Sequence, residues 1–317
     1  MSAGVVAIGE SLGLLVAREP GRLQHSREMR LGFGGAESNV AIGVARLGGR
    51  ATWIGRLGAD EIGDLILREL RAEGVSTHAV RDDAAPTALM LKTRPHPGAS
   101  HVTYYRKGQS GSRLSPQDVP AGVVREAGVL HVTGISAGLG AEPLAAAYAA
   151  IDLAREAGAV VSFDVNHRSA LWDDAAEAAA AYRELARRAD VVFAGADEAE
   201  MLTGATDTDA QLDGILALGA RHAVVKLGEH GAVEATAAER LTQPAYAVPV
   251  VDTVGAGDAF VAGWLFELGR GASAAERLDT AAACGALACT GPGDWESLPT
   301  LAELAALRDG GVDPVRR

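Results

Sequence analysis

The chain has 317 residues and a formal charge of −12; 48% of its residues are hydrophobic but only 4% aromatic. That length suits one large α/β domain or two ordinary ones, and the apolar content excludes general disorder. The acidity excludes broad nucleic-acid binding, which needs a basic footprint, yet it allows an anionic small substrate wherever basic residues converge.

The opening run MSAGVVAIGESLG lacks a basic stretch followed by a long apolar one, and no segment approaches a membrane span. VVAIG (5–9) is the first predicted strand. LGLLVAREPGRLQHSREMRLG (12–32) breaks the rhythm: two strands joined by a turn, with no helix between them. GFGGAESNVAIGVARLGG (32–49) is a Gly-Gly turn entering a helix at 35–47. ATWIG (51–55) and a helix at 60–73 follow, then a second helix-free strand pair, PTALMLKTRPHPGASHVTYYRKG (86–108).

From there strands and helices alternate: VLHVTG (129–134), helix 142–157, AVVSFDV (159–165), helix 174–188, DVVFAG (190–195), helix 209–219 and HAVVKLG (222–228). Helical patterns at 257–269, 273–290 and 300–308 close the chain. Continuous apolar strands between Ala/Leu-rich helices predict an α/β fold, with a doubly wound, mostly parallel sheet flanked by helices. The chain is expected to form a single domain over 1–317. Insertions 12–32 and 86–108 would build a small β-sheet lid that excludes water. Their apolar strands, LGLLV and TALML, also offer edges for pairing between subunits, which predicts a homodimer or higher homo-oligomer. Cys284 and Cys289, the only cysteines, lie five apart in a helix-like run and suggest neither a disulfide framework nor a metal site. A reducing cytoplasm with no membrane contact is the expected location.

The densest chemistry lies in VVDTVGAGDAFVAG (250–263). Gly255, Ala256 and Gly257 form a turn at a helix start, where free N–H groups and the helix dipole favour a phosphate or a developing oxyanion. Asp258 follows immediately. It is either an ordinary acid in a first helical turn or a group that acts on whatever the turn binds, and this stretch alone leaves both readings open. Gly34 and Gly35 allow close backbone approach to a ligand or to a neighbouring strand, and Asn39 lies just over one turn further on, able to bond a hydroxyl. Lys226, Gly228 and Gly231 either border a nucleotide or mark a β-turn. Arg106 and Arg168 fall at strand ends or in the suspected lid; an arginine pair suits a carboxylate through charge-assisted bonds, with surface salt bridging as the alternative.

Four segments in order resemble the ribokinase-like (phosphofructokinase-B type) sugar kinases over about residues 5–298: GFGGAESNVAIGVARLGG, ADEAEML (196–202), VVKLGEHGA (224–232) and DTVGAGDAF (252–260). The resemblance implies that Asp258 is the catalytic base and that the amides of Gly255, Ala256 and Gly257 form the anion hole for the transferring phosphoryl group. It implies ATP as phosphoryl donor, bordered by Lys226, Gly228, Gly231, Gly255, Gly257 and Ala282. Mg²⁺ would be held largely through water near Glu198, with a monovalent cation left open. Gly34, Gly35, Asn39 and Asp258 would face the sugar. VTYYRKGQSGS (102–112) and SFDVNHRSALW (162–172) further resemble the 2-keto-3-deoxygluconate kinases of that family, which implies that Tyr104, Arg106 and Arg168 contact a sugar acid.

Four positions depart from the family pattern, the first being Gly195, which stands where an asparagine often opens the acidic segment. Leu14 stands where hexose kinases often carry a sugar-binding acid, Met90 where sugar-acid kinases often present an aromatic, and Ala282 where an asparagine often borders adenine. The implied reaction is ATP-dependent phosphorylation of 2-keto-3-deoxy-D-gluconate at its terminal 6-hydroxyl. The alternative is another ribokinase-like kinase acting on fructose, ribose, tagatose or a nucleoside. An oxidoreductase has little support, since no G-x-G-x-x-G follows the first strand, and a Walker-type loop is absent. Asp258 with an intact Gly-Ala-Gly argues against a non-catalytic binding module.

Overall fold

The computed structural model describes residues 4–25, 27–96 and 101–309. The chain enters as β1 (Val5–Ile8), β2 (Leu12–Ala17), β3 (Met29–Gly34), α1 (Ala36–Arg46), β4 (Ala51–Gly58), α2 (Glu61–Ala72) and β5 (Ser76–Asp82). It continues with β6 (Leu89–Thr93), β7 (His101–Tyr105), α3 (Ala121–Arg125), β8 (Val129–Thr133), α4 (Ile135–Leu139), α5 (Ala141–Glu156) and β9 (Val160–Asp164). The remainder is α6 (Ala175–Ala186), β10 (Val191–Gly195), α7 (Ala196–Thr203), α8 (Thr208–Ala217), β11 (His222–Lys226), β12 (Ala232–Ala235), β13 (Arg240–Gln243), α9 (Ala256–Arg270), α10 (Ala274–Ala288) and α11 (Leu301–Arg308).

The six expected strands assemble into one sheet of nine, ordered β13-β12-β11-β10-β9-β8-β1-β4-β5. Pairing is parallel from β5 to β11 and antiparallel across β11–β12–β13. From β1 the chain winds outward through β4 and β5, then returns and winds the other way through β8, β9, β10 and β11. The reversal at β1/β8 is a topological switch point, and in such sheets ligands bind beyond the carboxyl ends of the strands there.

Helices cover both faces. On one side Trp53, Phe193, Phe260 and Trp264 pack with α1, α9 and α10; on the other Phe163, Tyr182 and Leu185 pack with α5 and α6. Each such large side chain contributes roughly 1.5–3 kcal/mol through burial. Alanines at 146, 147, 150 and 154 form the buried stripe of α5, so that helix lies close to the sheet without aromatic filling. This accounts for a large core built from a chain so poor in aromatics.

The two helix-free stretches form a separate four-stranded sheet, ordered β3-β2-β6-β7. Each contributes an antiparallel hairpin, and the hairpins join through parallel pairing of β2 with β6, Leu14 opposite Met90. Its buried core is slight: Leu12, Leu14, Ala88 and Met90, with Val16 and Tyr104 against them. Several elements escape the sequence pattern, the short helices α3 and α4 among them. β5, STHAVRD, is a polar edge strand, β12 and β13 are four-residue strands, and the acidic segment 196–202 is the helix α7.

Candidate active site

The site begins at the start of α9. Gly255 has φ 76°, and a Cβ there would run into the carbonyl oxygen of Asp294, so only glycine fits this turn. The first-turn amides of Gly257 and Asp258 have no intrahelical acceptor, as at any helix start. The Ala256 amide is partly engaged, donating to the Thr253 carbonyl at 3.3 Å. The start of α9 thus offers the amides of Gly257 and Asp258 to a ligand, with that of Ala256 shared.

Asp258 is 7% exposed, and both carboxylate oxygens accept hydrogen bonds from amide side chains. Asn39 Nδ2 donates to Oδ2 at 2.8 Å and Asn166 Nδ2 to Oδ1 at 3.2 Å. Asn39 was expected to bond a sugar hydroxyl; its amide nitrogen holds the aspartate, while its Oδ1 lines the cavity without a partner. Asn166 has φ 44°, a left-handed conformation that costs on the order of 1 kcal/mol and that asparagine tolerates better than most residues. Burial raises the Asp258 pKa above the usual carboxylate value, and the charge of Asp164 pushes it the same way; the Asn39 bond, Arg168 and Lys226 pull it down.

Lys226 ends β11 and lies alongside. Its Nζ bonds both oxygens of Asp164, at 2.9 and 2.8 Å, and stands 3.5 Å from where a Cβ on Gly257 would be. Burial opposes its charge, but Asp164, Glu198 and Asp258 outweigh it and hold the ammonium above its ordinary value. A cation is thus fixed beside the helix start that an anion would approach.

One cavity gathers the predicted sugar residues. Gly34, Gly35, Asn39, Tyr104, Arg106, Arg168, Gly255 and Asp258 line it, Tyr104 and Arg106 from the small-sheet side and Arg168 from the loop after β9. Met90 lines it too, whereas Leu14 belongs to an adjoining groove with Arg30, Lys92 and Asp252. A Cβ at Gly34 would strike the Asp294 carboxylate and one at Gly35 the Glu10 carbonyl, so these glycines serve tight packing as well as the cavity wall.

Gly228 and Gly231 make the turn from β11 to β12, closed by Leu227 N donating to Gly231 O at 2.8 Å. Ala282 is buried in the core between α9 and α10, leaving only a sliver of apolar surface for a base. Glu198 accepts from the amides of Gly195 and His167, both at 2.7 Å, so its two oxygens already fix the start of α7. Its remaining lone pairs fit a water-mediated ion better than a direct ligand. No cluster of three metal-ligating side chains occurs among the described residues. This donor set suits a small hydrated cation carried chiefly by phosphates.

Five site residues have no place in the sequence reading. Glu10, one residue beyond Gly9, stands at the carboxyl end of β1, where the switch point alone could have flagged it. Asp164 and Asn166 lie in the quoted segment SFDVNHRSALW, four residues and two residues before Arg168. Asp294 sits in an irregular loop with no periodicity; burial, with the Asp258 charge next, pushes its carboxyl to about 7. Glu37 is buried in α1, donated to by Thr133 Oγ1 at 2.6 Å, and burial takes it also to about 7. The loss of an acid at Leu14 therefore does not empty the cavity of carboxylates, because Glu10 and Asp294 line it.

Residues 2–301 match the model of the pfkB family carbohydrate kinases. The chain is 40% identical over 309 residues to the 2-dehydro-3-deoxygluconokinase of Bacillus subtilis, covering 96% of this chain and 95% of that one. It is 35% identical over 330 residues to fructokinase-2 of Solanum habrochaites, covering 97% of each. The fructokinase of Xylella fastidiosa, solved with bound ATP, superposes with a TM-score of 0.88 at 28% identity, over 98% of this chain and 99% of that one. The chain belongs to the pfkB family: it is a carbohydrate kinase, a phosphotransferase that takes ATP and a sugar as its small-molecule substrates. No helix among the described residues is long and apolar enough to cross a membrane.

Proposed function

We propose that this kinase phosphorylates a sugar acid, 2-keto-3-deoxy-D-gluconate, at its terminal 6-hydroxyl. The observation that carries the reading is the meeting of two guanidinium groups, Arg106 and Arg168, in the cavity that holds Asp258. A neutral hexose needs no such pair, whereas a carboxylate gains charge-assisted bonds from it. The similarity to a 2-dehydro-3-deoxygluconokinase supports the same substrate.

Asp258, steadied by Asn39 and Asn166, takes the proton of the attacking hydroxyl. The amides at the start of α9 and the Lys226 ammonium face the transferring phosphoryl group and stabilise its developing charge. Gly228 and Gly231 border the nucleotide. Glu198 would hold Mg²⁺ through water, and the ion would supply neutralisation of phosphate charge. The small sheet, carrying Tyr104 and Arg106, acts as a lid that keeps water from the phosphoryl group. Leu31 and Tyr105, 47% and 57% exposed, share the sheet face turned away from the cavity, and a second copy of the chain covers that face in a homodimer. Light scattering that finds a monomer at all concentrations would sink the dimer. A reducing cytoplasm suits the two free cysteines.

A coupled ADP-release assay over sugars and sugar acids tests the substrate. The sugar acid should give the highest kcat/KM; faster turnover of fructose or ribose would overturn the reading. A second reading, a fructokinase, is favoured by the fructokinase relatives and would be decided by the same panel.

A further inference from the structure

Arg106, assigned above to the substrate's carboxylate, is already engaged. Its Nη2 donates to Glu10 Oε2, and the two side chains are deeply buried, with Arg106 8% and Glu10 3% exposed. The site is built around this pair: a Cβ at Gly111 would collide with the Glu10 side chain, and the Arg106 guanidinium lies over the Tyr104 ring at 4.9 Å. Yet the pair is incomplete. Glu10 Oε1 and Arg106 Nε are both buried without a hydrogen-bond partner. A guanidinium and a carboxylate can make two parallel bonds, and here they make one.

The surrounding charge is mostly negative. Glu37 from α1, Asp258 from α9 and Asp294 from the loop before α11 stand near Glu10, against Arg106 and Arg168. Burial pushes the Glu10 carboxyl up even with Arg106 attached. A substrate carboxylate entering this cavity competes for Arg106 and adds one more negative charge beside Glu10.

We propose that Glu10 is a specificity-determining residue: it is the internal counter-ion of Arg106 before substrate binds, and it yields the arginine, as a neutral acid, to the substrate's carboxylate. The proposal rests on the sugar-acid reading of the preceding subsection. Solvent supplies the proton, one per substrate bound, and recovers it when the site empties. A neutral sugar has no charge to offer Arg106, so the pair stays closed and no proton is taken up. Because the complex with the acid holds an additional proton, affinity for it falls as pH rises above the Glu10 pKa of the free enzyme, by up to about tenfold per pH unit.

Isothermal titration of the full chain with 2-keto-3-deoxy-D-gluconate, without ATP, at pH 7.5 in HEPES and in Tris, reads the proton directly. Uptake approaching one proton is expected for the acid and none for D-fructose. Glu10→Gln should abolish the uptake and tighten acid binding about tenfold, the equivalent of one pKa unit. Absence of uptake by the wild-type protein on binding the acid overturns the proposal without any variant, so a Glu10→Gln chain that fails to fold does not shield it. Uptake retained in Glu10→Gln, or weaker acid binding there, overturns the role of Glu10 while leaving the sugar-acid reading intact. A wild-type protein that binds fructose as tightly as the acid overturns both.

Discussion

The cavity has a floor and a wall of opposite character. The floor, where β9, β11 and α9 converge, is tied together by short polar bonds among Asp164, Lys226, Asn39, Asn166 and Asp258, above a large core. The wall is the small sheet, with four buried core residues, an exposed outer face and the arginine that meets Glu10. Phosphoryl transfer is positioning and charge stabilisation, and that demands the rigid floor. Choice of sugar needs only a few groups facing the other end of the substrate, and a thin wall suffices to present them. The groups proposed for phosphoryl transfer thus lie on the large sheet and α9, whereas those proposed to choose the sugar are divided between the wall, with Arg106, and the carboxyl ends of β1 and β9, with Glu10 and Arg168.

The sharpest way to break that division is at Asp258. Asp258→Asn should lower kcat by about a thousandfold while leaving ATP affinity nearly unchanged, as expected when a general base is lost. A variant that keeps a near-wild-type rate would remove Asp258 from the base role. Arg168→Ala is the next largest effect and tests where floor meets wall. KM should rise on the order of 10–100-fold for a sugar acid and much less for a neutral sugar, in line with the loss of a charge-assisted bond. Equal effects on both would assign Arg168 to the floor, as a partner of the phosphoryl group.

A finer test concerns how the base is held. Asn166→Gly keeps the left-handed backbone without strain and removes the amide, so the fold should survive while kcat drops about tenfold. Loss of a donor to the ionised form raises the pKa of Asp258, which moves the acid limb of the kcat/KM profile to higher pH. An unchanged rate and profile would mean that Asn166 merely shapes the turn.

The smallest effect is on stability. The Asp294 carboxyl stands at about 7, above its ordinary 3.8, so the fold favours its neutral form. That contribution is fully present below about pH 4 and is lost as pH rises through 7. Glu37, also at about 7, adds to the same slope. Asp294→Asn should therefore flatten the decline of Tm between pH 5 and 8 and raise Tm at pH 8 by roughly 5 °C. Parallel Tm curves for the two proteins would show that Asp294 is not the group that titrates.

The floor was the more legible region. Continuous apolar runs such as DVVFAG and HAVVKLG announce central parallel strands, and GAGD followed by a helical pattern announces a glycine turn entering a helix. The wall was legible as two hairpins, but the parallel junction of β2 with β6 was not, because pairing between distant hairpins leaves no local pattern. Asn39 shows a second limit: its residue type told that it would bond something polar, while its partner depended on where α9 lies. Glu10 and Asp294 escaped for the same reason. A carboxylate's role is set by what the fold brings against it, and Arg106 and the Gly34 backbone come from elsewhere in the chain.

The β2–β6 junction has a consequence for how the molecule assembles. Gly13 lies opposite Leu89, and between them the chain builds α1, β4, α2 and β5. Closing so long a loop costs entropy before the pairing repays it. Neither hairpin has a core of its own large enough to stand alone in water. The wall therefore leans on the large sheet for its own closure: β1, β4 and β5, lying side by side, hold the two hairpins within reach of each other.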